Sequence, residues 1–194
     1  MPVEYWFPTP VFVRDLEGDE LQTVQAEIEQ VLPQIRSRST PAITGGAMLT
    51  TFFWGNGNAH DIAKYNLINL KQAIRRAVDD YTVAINYKGP PFQFGGSWFN
   101  LSSRGGTHFD HVHPYTRIAG TYYYQTNETD GNLKLQNPNP LMHMGAFPAD
   151  ESPQESLKFP PKAGRLILFP CWLTHRVEMN ETDHERISIA FNIN

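Results

Sequence analysis

The periodicity of the apolar residues changes once along this chain, at Gly89-Pro90-Pro91, and that change constrains the fold more than any other feature. Before it, apolar side chains recur at helical spacing. Leu21, Val24, Ile28, Leu32 and Ile35 predict a helix from Asp19 to about Arg36, with Asp19 as its N-cap and Pro33 as a point of breakage. From roughly Asp61, a longer helix is expected to carry Ala63, Leu67, Leu70, Ile74, Ala77 and Tyr81 on one stripe, with Lys71, Arg75 and Asp79 opposite. Both read as one-sided covers. After the switch the pattern has the period of strands, over Phe92 to Ser102, Ile118 to Thr126, Asn132 to Asn137, Arg165 to Phe169, His175 to Met179 and Arg186 to Ile193. Turn signals such as Asp130-Gly131, Asn137-Pro138-Asn139-Pro140 and Lys162-Ala163-Gly164 separate them. Helices first and strands second imply a mainly β, α+β arrangement: a sandwich or barrel buttressed by helices on one face. The proline-interrupted run Tyr5 to Val13 reads as an edge strand or extended cover, and Leu49 to Trp54 as a short strand.

A chain of 194 residues is long enough for one sizeable core, and a single domain over 1–194 is expected, with a helical cover at about 17–88 and a β core at about 92–194. The formal charge of −4 disfavours nucleic acid as a partner. One cysteine, Cys171, forms no internal disulfide and reads as a small buried hydrophobe. Without a basic-then-apolar leader, or an apolar run near the ~20 residues of a membrane helix, the chain is expected to be soluble and cytoplasmic.

Between Thr107 and Tyr124, in THFDHVHPYTRIAGTYYY, three of the seven histidines and an aspartate fall within six residues. Residues two apart on a strand share a face, so His108 with Asp110, or His111 with His113, can grip one ion. The pairs have opposite parity, so an unbroken strand offers only one of them to a given pocket. His175, just beyond the apolar run of GRLILFPCWLTHRV, supplies a third ligand. Two ligands from one segment and one from a distant strand form the facial arrangement that leaves positions open on a non-haem iron.

On the final strand the odd positions Ile187, Ile189, Phe191 and Ile193 are apolar, while Arg186, Ser188, Ala190 and Asn192 share the other face. If the apolar face packs outward, the polar face looks into the barrel. A buried guanidinium costs several kcal/mol unless an anion meets it, so Arg186 asks for a carboxylate or phosphate, and Ser188 is placed to donate to the same group. Trp98, Asn100 and Ser102 share a face in the same way.

The combination HVHP (His111 to Pro114), IAGTYYY (Ile118 to Tyr124), GRLILFPCWLTHRV (Gly164 to Val177) and ERISIAFN (Glu185 to Asn192), with the opening FPTPV (Phe7 to Val11), resembles the 2-oxoglutarate/iron(II) oxygenases of marine bacteria and cyanophages. The resemblance implies a double-stranded β-helix (jelly roll, cupin-like). It implies oxidation, in the first instance hydroxylation, of a substrate C–H bond coupled to decarboxylation of 2-oxoglutarate to succinate. The implied cofactors are iron(II), 2-oxoglutarate with dioxygen, and ascorbate as a stimulant. The ten residues between His175 and Arg186 match the superfamily's separation of the distal iron histidine from the cosubstrate-binding base. His111, His113, His175 and Arg186 then form the catalytic set, the three histidines holding the metal. Arg186, Ser188, Asn100, Tyr122, Tyr124 and Asn192 are the implied cosubstrate residues, although parity alone leaves open which of the tyrosines 122–124 turns inward. Much of the superfamily uses His-x-Asp in the first motif, and His108-Phe109-Asp110 is a literal match; the nearer family's His-x-His-Pro maps to His111 and His113. Expected partners are a small-molecule or peptide substrate, with no nucleic acid and no membrane, and a homodimer stays open; a phage-encoded chain would work in the host cytoplasm.

Two other classes compete. A cupin-like protein with zinc or nickel on three histidines, acting as isomerase or hydrolase, gives no reason for an inward Arg186. A catalytically silent scaffold has no need to bury charged groups. His108 alone also suits a polar turn, and the proline-rich stretch 137–161, with His143, reads as a substrate lid or a surface insertion.

Overall fold

The computed structural model describes residues 9–43, 46–52, 59–139 and 155–194. Among these residues three helices, α1 (Gly18–Arg38), α2 (Asp61–Lys64) and α3 (Ile68–Ala84), accompany eleven strands. The strands are β1 (Phe12–Asp15), β2 (Thr40–Pro41), β3 (Gly46–Thr50), β4 (Phe94–Gly106), β5 (His108–His111), β6 (Ile118–Gln125), β7 (Leu133–Gln136), β8 (Ser156–Phe159), β9 (Arg165–Pro170), β10 (His175–Val177) and β11 (Arg186–Ile193). They form an antiparallel seven-stranded sheet, β1-β9-β6-β11-β4-β3-β2, and an antiparallel four-stranded sheet, β5-β10-β7-β8.

Two apolar layers result from the strand alternation. Leu166, Leu168, Ile187, Ile189, Phe191, Phe99 and Leu101 turn one face of the large sheet towards Val24, Ile28, Leu32 and Ile35 of α1 and Leu70, Ile74, Ala77 and Tyr81 of α3. Each fully buried side chain of this size contributes about 1.5–3 kcal/mol. The opposite parity, Ala119, Tyr123, Ile167 and Phe169, packs on Leu133, Leu135 and Leu173 to fill the space between the sheets. The even face of β11 looks into that inter-sheet space, as its pattern requires. Among the described residues no helix is long and apolar enough to cross a membrane.

The helices depart from expectation in three places. Pro33 does not break α1, because buried Ile28, Leu32 and Ile35 lie on both sides of it and their packing outweighs one missing N–H. Asp19 lies in the first turn, and Glu17 occupies the N-cap without a side-chain bond. The helix expected from Asp61 is interrupted: Asn66 takes a left-handed φ of 54°, which asparagine tolerates, so α3 starts afresh at Ile68 and Ala63 is exposed. Its N-terminus is capped from a distance, Glu27 of α1 accepting from the Asn69 and Leu70 amides at 3.0 and 3.1 Å.

β1 is an edge strand as expected, while residues 5–8 lie outside the described ones. The strand expected at Leu49 to Trp54 starts earlier, at Gly46, and ends at Thr50; its residues 53 and 54 also lie outside the described ones. Most of the stretch 137–161 lies outside as well; within it, Ser156–Phe159 form strand β8 on β7.

Candidate active site

The 108–113 segment and β10 meet at the open side of the inter-sheet space, where His111 and His175 are directly paired residues of β5 and β10. The His113 amide donates to the Cys171 carbonyl at 2.9 Å, which brings the third imidazole alongside. One ligand nitrogen from each of His111, His113 and His175 lies within 4.8 Å of the others.

Hydrogen bonds fix the three tautomers. Nδ1 of His111 donates to the Phe109 carbonyl at 2.8 Å, Nδ1 of His175 to the Leu173 carbonyl at 2.8 Å, and Nδ1 of His113 to Asn192 Oδ1 at 2.5 Å. These acceptors carry no proton, so in a neutral ring Nδ1 holds the hydrogen and Nε2 is a bare lone pair. Burial, reinforced by the neighbouring imidazoles, holds the rings neutral: it lowers His111 to about 3 and His175 to about 2, and depresses His113 as well. Nε2 of His111 and Nε2 of His113 therefore face each other at 3.3 Å with no proton between them. Two ligands at ~2.1 Å from one ion sit ~3.0–3.4 Å apart. This donor set fits a divalent metal.

Asp110 turns away. Its carboxylate accepts from Gln136 at 2.9 Å and lies 3.7 Å from Arg176 on the outer face of the small sheet. A shift of register between β5 and β10 separates it from His108, which lines the cleft with its ring 4.0 Å from that of His111.

Behind the histidines the cleft is lined by Asn100, Tyr123, Arg186 and Ser188, with Trp98, Leu133, Phe169 and Val177 as apolar walls. Arg186 is 2% exposed. Its Nη1 donates to the carbonyls of Asp130 and Gly131, and its Nη2 to Ser102 Oγ at 3.2 Å. No ion pair involves it among the described residues, and desolvation pulls its pKa down. Three of its five N–H groups are thus used, leaving Nε–H and one Nη2–H to donate to a ligand.

Three expected cosubstrate residues lie elsewhere. Tyr122 and Tyr124 point into the helix-facing core, Tyr124 bonding Glu29 and the Tyr122 hydroxyl finding no hydrogen-bond partner among the described residues. Tyr123 faces the cleft instead, because β6 pairs with β11 so that Tyr123 lies opposite inward Ser188; burial pushes its hydroxyl up to about 12. That register was not readable from three identical side chains in a row. Asn192 serves His113 rather than the cleft behind it.

Residues 96–192, 97 of the 194, match a family model described as "Putative 2OG-Fe(II) oxygenase". A search of curated protein sequences finds no match. Among solved structures, a Pseudomonas putida prolyl-4-hydroxylase is similar over 94% of this chain and 91% of its own, at 16% identity and a TM-score of 0.54. The epimerase SnoN of nogalamycin biosynthesis, solved with Fe3+, α-ketoglutarate and nogalamycin RO, is similar over 94% of this chain and 78% of its own, at 15% identity and 0.66. HygX from Streptomyces hygroscopicus, solved with nickel and 2-oxoglutarate, gives 96%, 83%, 13% and 0.58 in the same order. These likenesses show the double-stranded β-helix fold. The family match covers half of the chain, and with the fold and the metal-fitting histidines it places this protein in the 2-oxoglutarate/iron(II) oxygenase family, as a non-haem iron dioxygenase that uses 2-oxoglutarate as cosubstrate.

Proposed function

We propose that His111, His113 and His175 hold the iron through Nε2, and that Arg186, with Tyr123, Ser188 and Asn100, binds the distal carboxylate of 2-oxoglutarate. When bound, iron with 2-oxoglutarate and dioxygen supplies the oxidising chemistry, in which cosubstrate decarboxylation to succinate accompanies oxidation of a substrate C–H bond. Phe109 and Leu173 orient two imidazoles through their carbonyls and Asn192 orients the third, so the metal affinity of this set depends on backbone as well as side chain. Arg186 offers its two remaining N–H groups, and the hydroxyls of Tyr123 and Ser188 border the same space. The apolar walls keep water away from the reacting end, which strengthens each polar contact inside. The substrate we assign is a small molecule or a peptide reaching the histidines past Trp98, whose ring is 5.8 Å from that of His113. Both kinds occur among the similar folds: a Trichoplax adhaerens prolyl hydroxylase was solved with a hypoxia-inducible-factor peptide, and HygX with hygromycin B.

The carrying observation is the buried guanidinium, in no ion pair among the described residues, in the same cleft as three bare Nε2 atoms. A three-histidine zinc hydrolase would explain the imidazoles and leave Arg186 without a ligand. Calorimetric titration of manganese(II)-loaded protein with 2-oxoglutarate tests this. Binding that falls at least about a hundredfold in Arg186→Leu is expected, since removing one partner of a desolvated charge pair costs about 3–5 kcal/mol. Equal affinity in both proteins would sink the assignment.

A further inference from the structure

We infer that the turn carrying Asp130 and Gly131 is a positioning device for Arg186, and that Asp130 acts on the reaction through it. This rests on the reading of Arg186 as the cosubstrate base. An arginine at the end of a strand has several rotatable bonds, and a bidentate grip on a carboxylate needs its plane and its open edge held still. Here the hold comes from two consecutive carbonyls, those of Asp130 and Gly131, both accepting from Nη1. These acceptors satisfy donors without neutralising the guanidinium, so the positive charge stays available for an anionic ligand.

The turn is shaped for this. Gly131 has a φ of +100°, which favours glycine, and a Cβ there would collide with the Glu178 carbonyl oxygen and lie 2.8 Å from Arg186 Nη1. The Asp130 side chain, 0% exposed, makes its hydrogen bonds to Thr126, Asn127 and His184 and forms no ion pair with the guanidinium, whose charge it supports only through space. Its carboxylate accepts from Thr126 Oγ1 at 2.7 Å and the Asn127 amide at 3.0 Å, and lies 3.3 Å from His184 Nδ1. The carboxylate therefore ties the loop down while the backbone of the same residue presents its oxygen to the arginine. Ser102, opposite Arg186 in the β4–β11 ladder, fixes the other terminal nitrogen.

The test uses the full chain, comparing Gly131→Ala, Asp130→Asn and the milder Thr126→Val with wild type. Calorimetry gives the affinity of the metal-free protein for manganese(II), and of the manganese(II)-loaded protein for 2-oxoglutarate and the one-carbon-longer 2-oxoadipate. We expect at least about tenfold weaker 2-oxoglutarate binding in Gly131→Ala and Asp130→Asn, as a misplacement on the ångström scale costs up to about a hundredfold. Manganese affinity should stay within about twofold, and the preference for 2-oxoglutarate over 2-oxoadipate should shrink, because an arginine free to reorient accepts a carboxylate at a different depth. Unchanged 2-oxoglutarate affinity and chain-length preference in these two variants would overturn the inference. So would metal and cosubstrate affinities falling in parallel with the melting temperature, the pattern of a merely structural turn. If the two variants do not fold, Thr126→Val decides by the same criteria. Arg186→Leu run alongside separates the two levels: if it binds 2-oxoglutarate like wild type, the underlying reading fails, whereas its loss of binding with normal turn variants overturns the positioning role alone.

Discussion

Asn192 does not line the cleft behind the histidines, yet its amide oxygen decides which nitrogen of His113 carries the proton. Asn192→Ala should lower metal affinity about 10–100-fold while leaving the fold intact, as loss of an outer partner of a ligating histidine typically does. Competition with a chelating dye measures it, and unchanged affinity would remove Asn192 from the site. The tyrosines make a matched pair of controls. Tyr123→Phe takes one hydroxyl from the cleft and should weaken 2-oxoglutarate binding about tenfold, the worth of a charge-assisted hydrogen bond. Tyr122→Phe removes a buried hydroxyl with no hydrogen-bond partner among the described residues, so cosubstrate affinity should hold and the melting temperature should stay or rise. A reversed outcome would mean that β6 is set one residue out of register.

Edge strand β1 is clamped to its neighbourhood by a single carboxylate. Asp15 accepts from Arg165 Nε and Nη2 at 2.8 and 3.0 Å and from Lys162 at 2.8 Å, and these partners, Arg165 foremost, lower it from 3.8 to about 2. A depressed folded-state pKa adds stability that is fully present above the unfolded value and is lost as pH falls towards the folded one. Asp15→Asn should therefore cost about 0.5–1 kcal/mol at neutral pH, a figure suited to a partly exposed pair. The gap in denaturant midpoint between variant and wild type should close from about pH 4 to about pH 2; a gap that persists at pH 2 would mean that charge is not what holds the edge. At this scale most elements were legible, because a long period-2 or period-3.6 pattern such as 186–193 or Val24-Ile28-Leu32-Ile35 admits one reading. The break at Asn66 was not, since a single left-handed residue leaves the apolar stripe almost undisturbed and the cap on α3 comes from Glu27, some forty residues away.

For the whole molecule, the two-layer arrangement and the inward face of β11 followed from alternation, whereas the pairing of a distal histidine with an inward arginine came from the resemblance to the oxygenase family. Which first-motif pair meets His175 was not settled by parity, because the register shift in β5 that turns Asp110 outward lies in the hydrogen-bonding of β10, not in local sequence. The grip on Arg186 was equally hidden, being made by backbone carbonyls of a turn whose sequence announces only a turn. The three-histidine centre is the claim on which the rest depends, and iron content after anaerobic loading and desalting tests it most directly. Wild type, His108→Ala and Asp110→Ala should each retain about one iron(II) per chain, while His111→Ala, His113→Ala and His175→Ala should each lose most of it, since three ligands leave little redundancy. Full occupancy in His111→Ala and His113→Ala, with loss in His108→Ala and Asp110→Ala, would contradict the account.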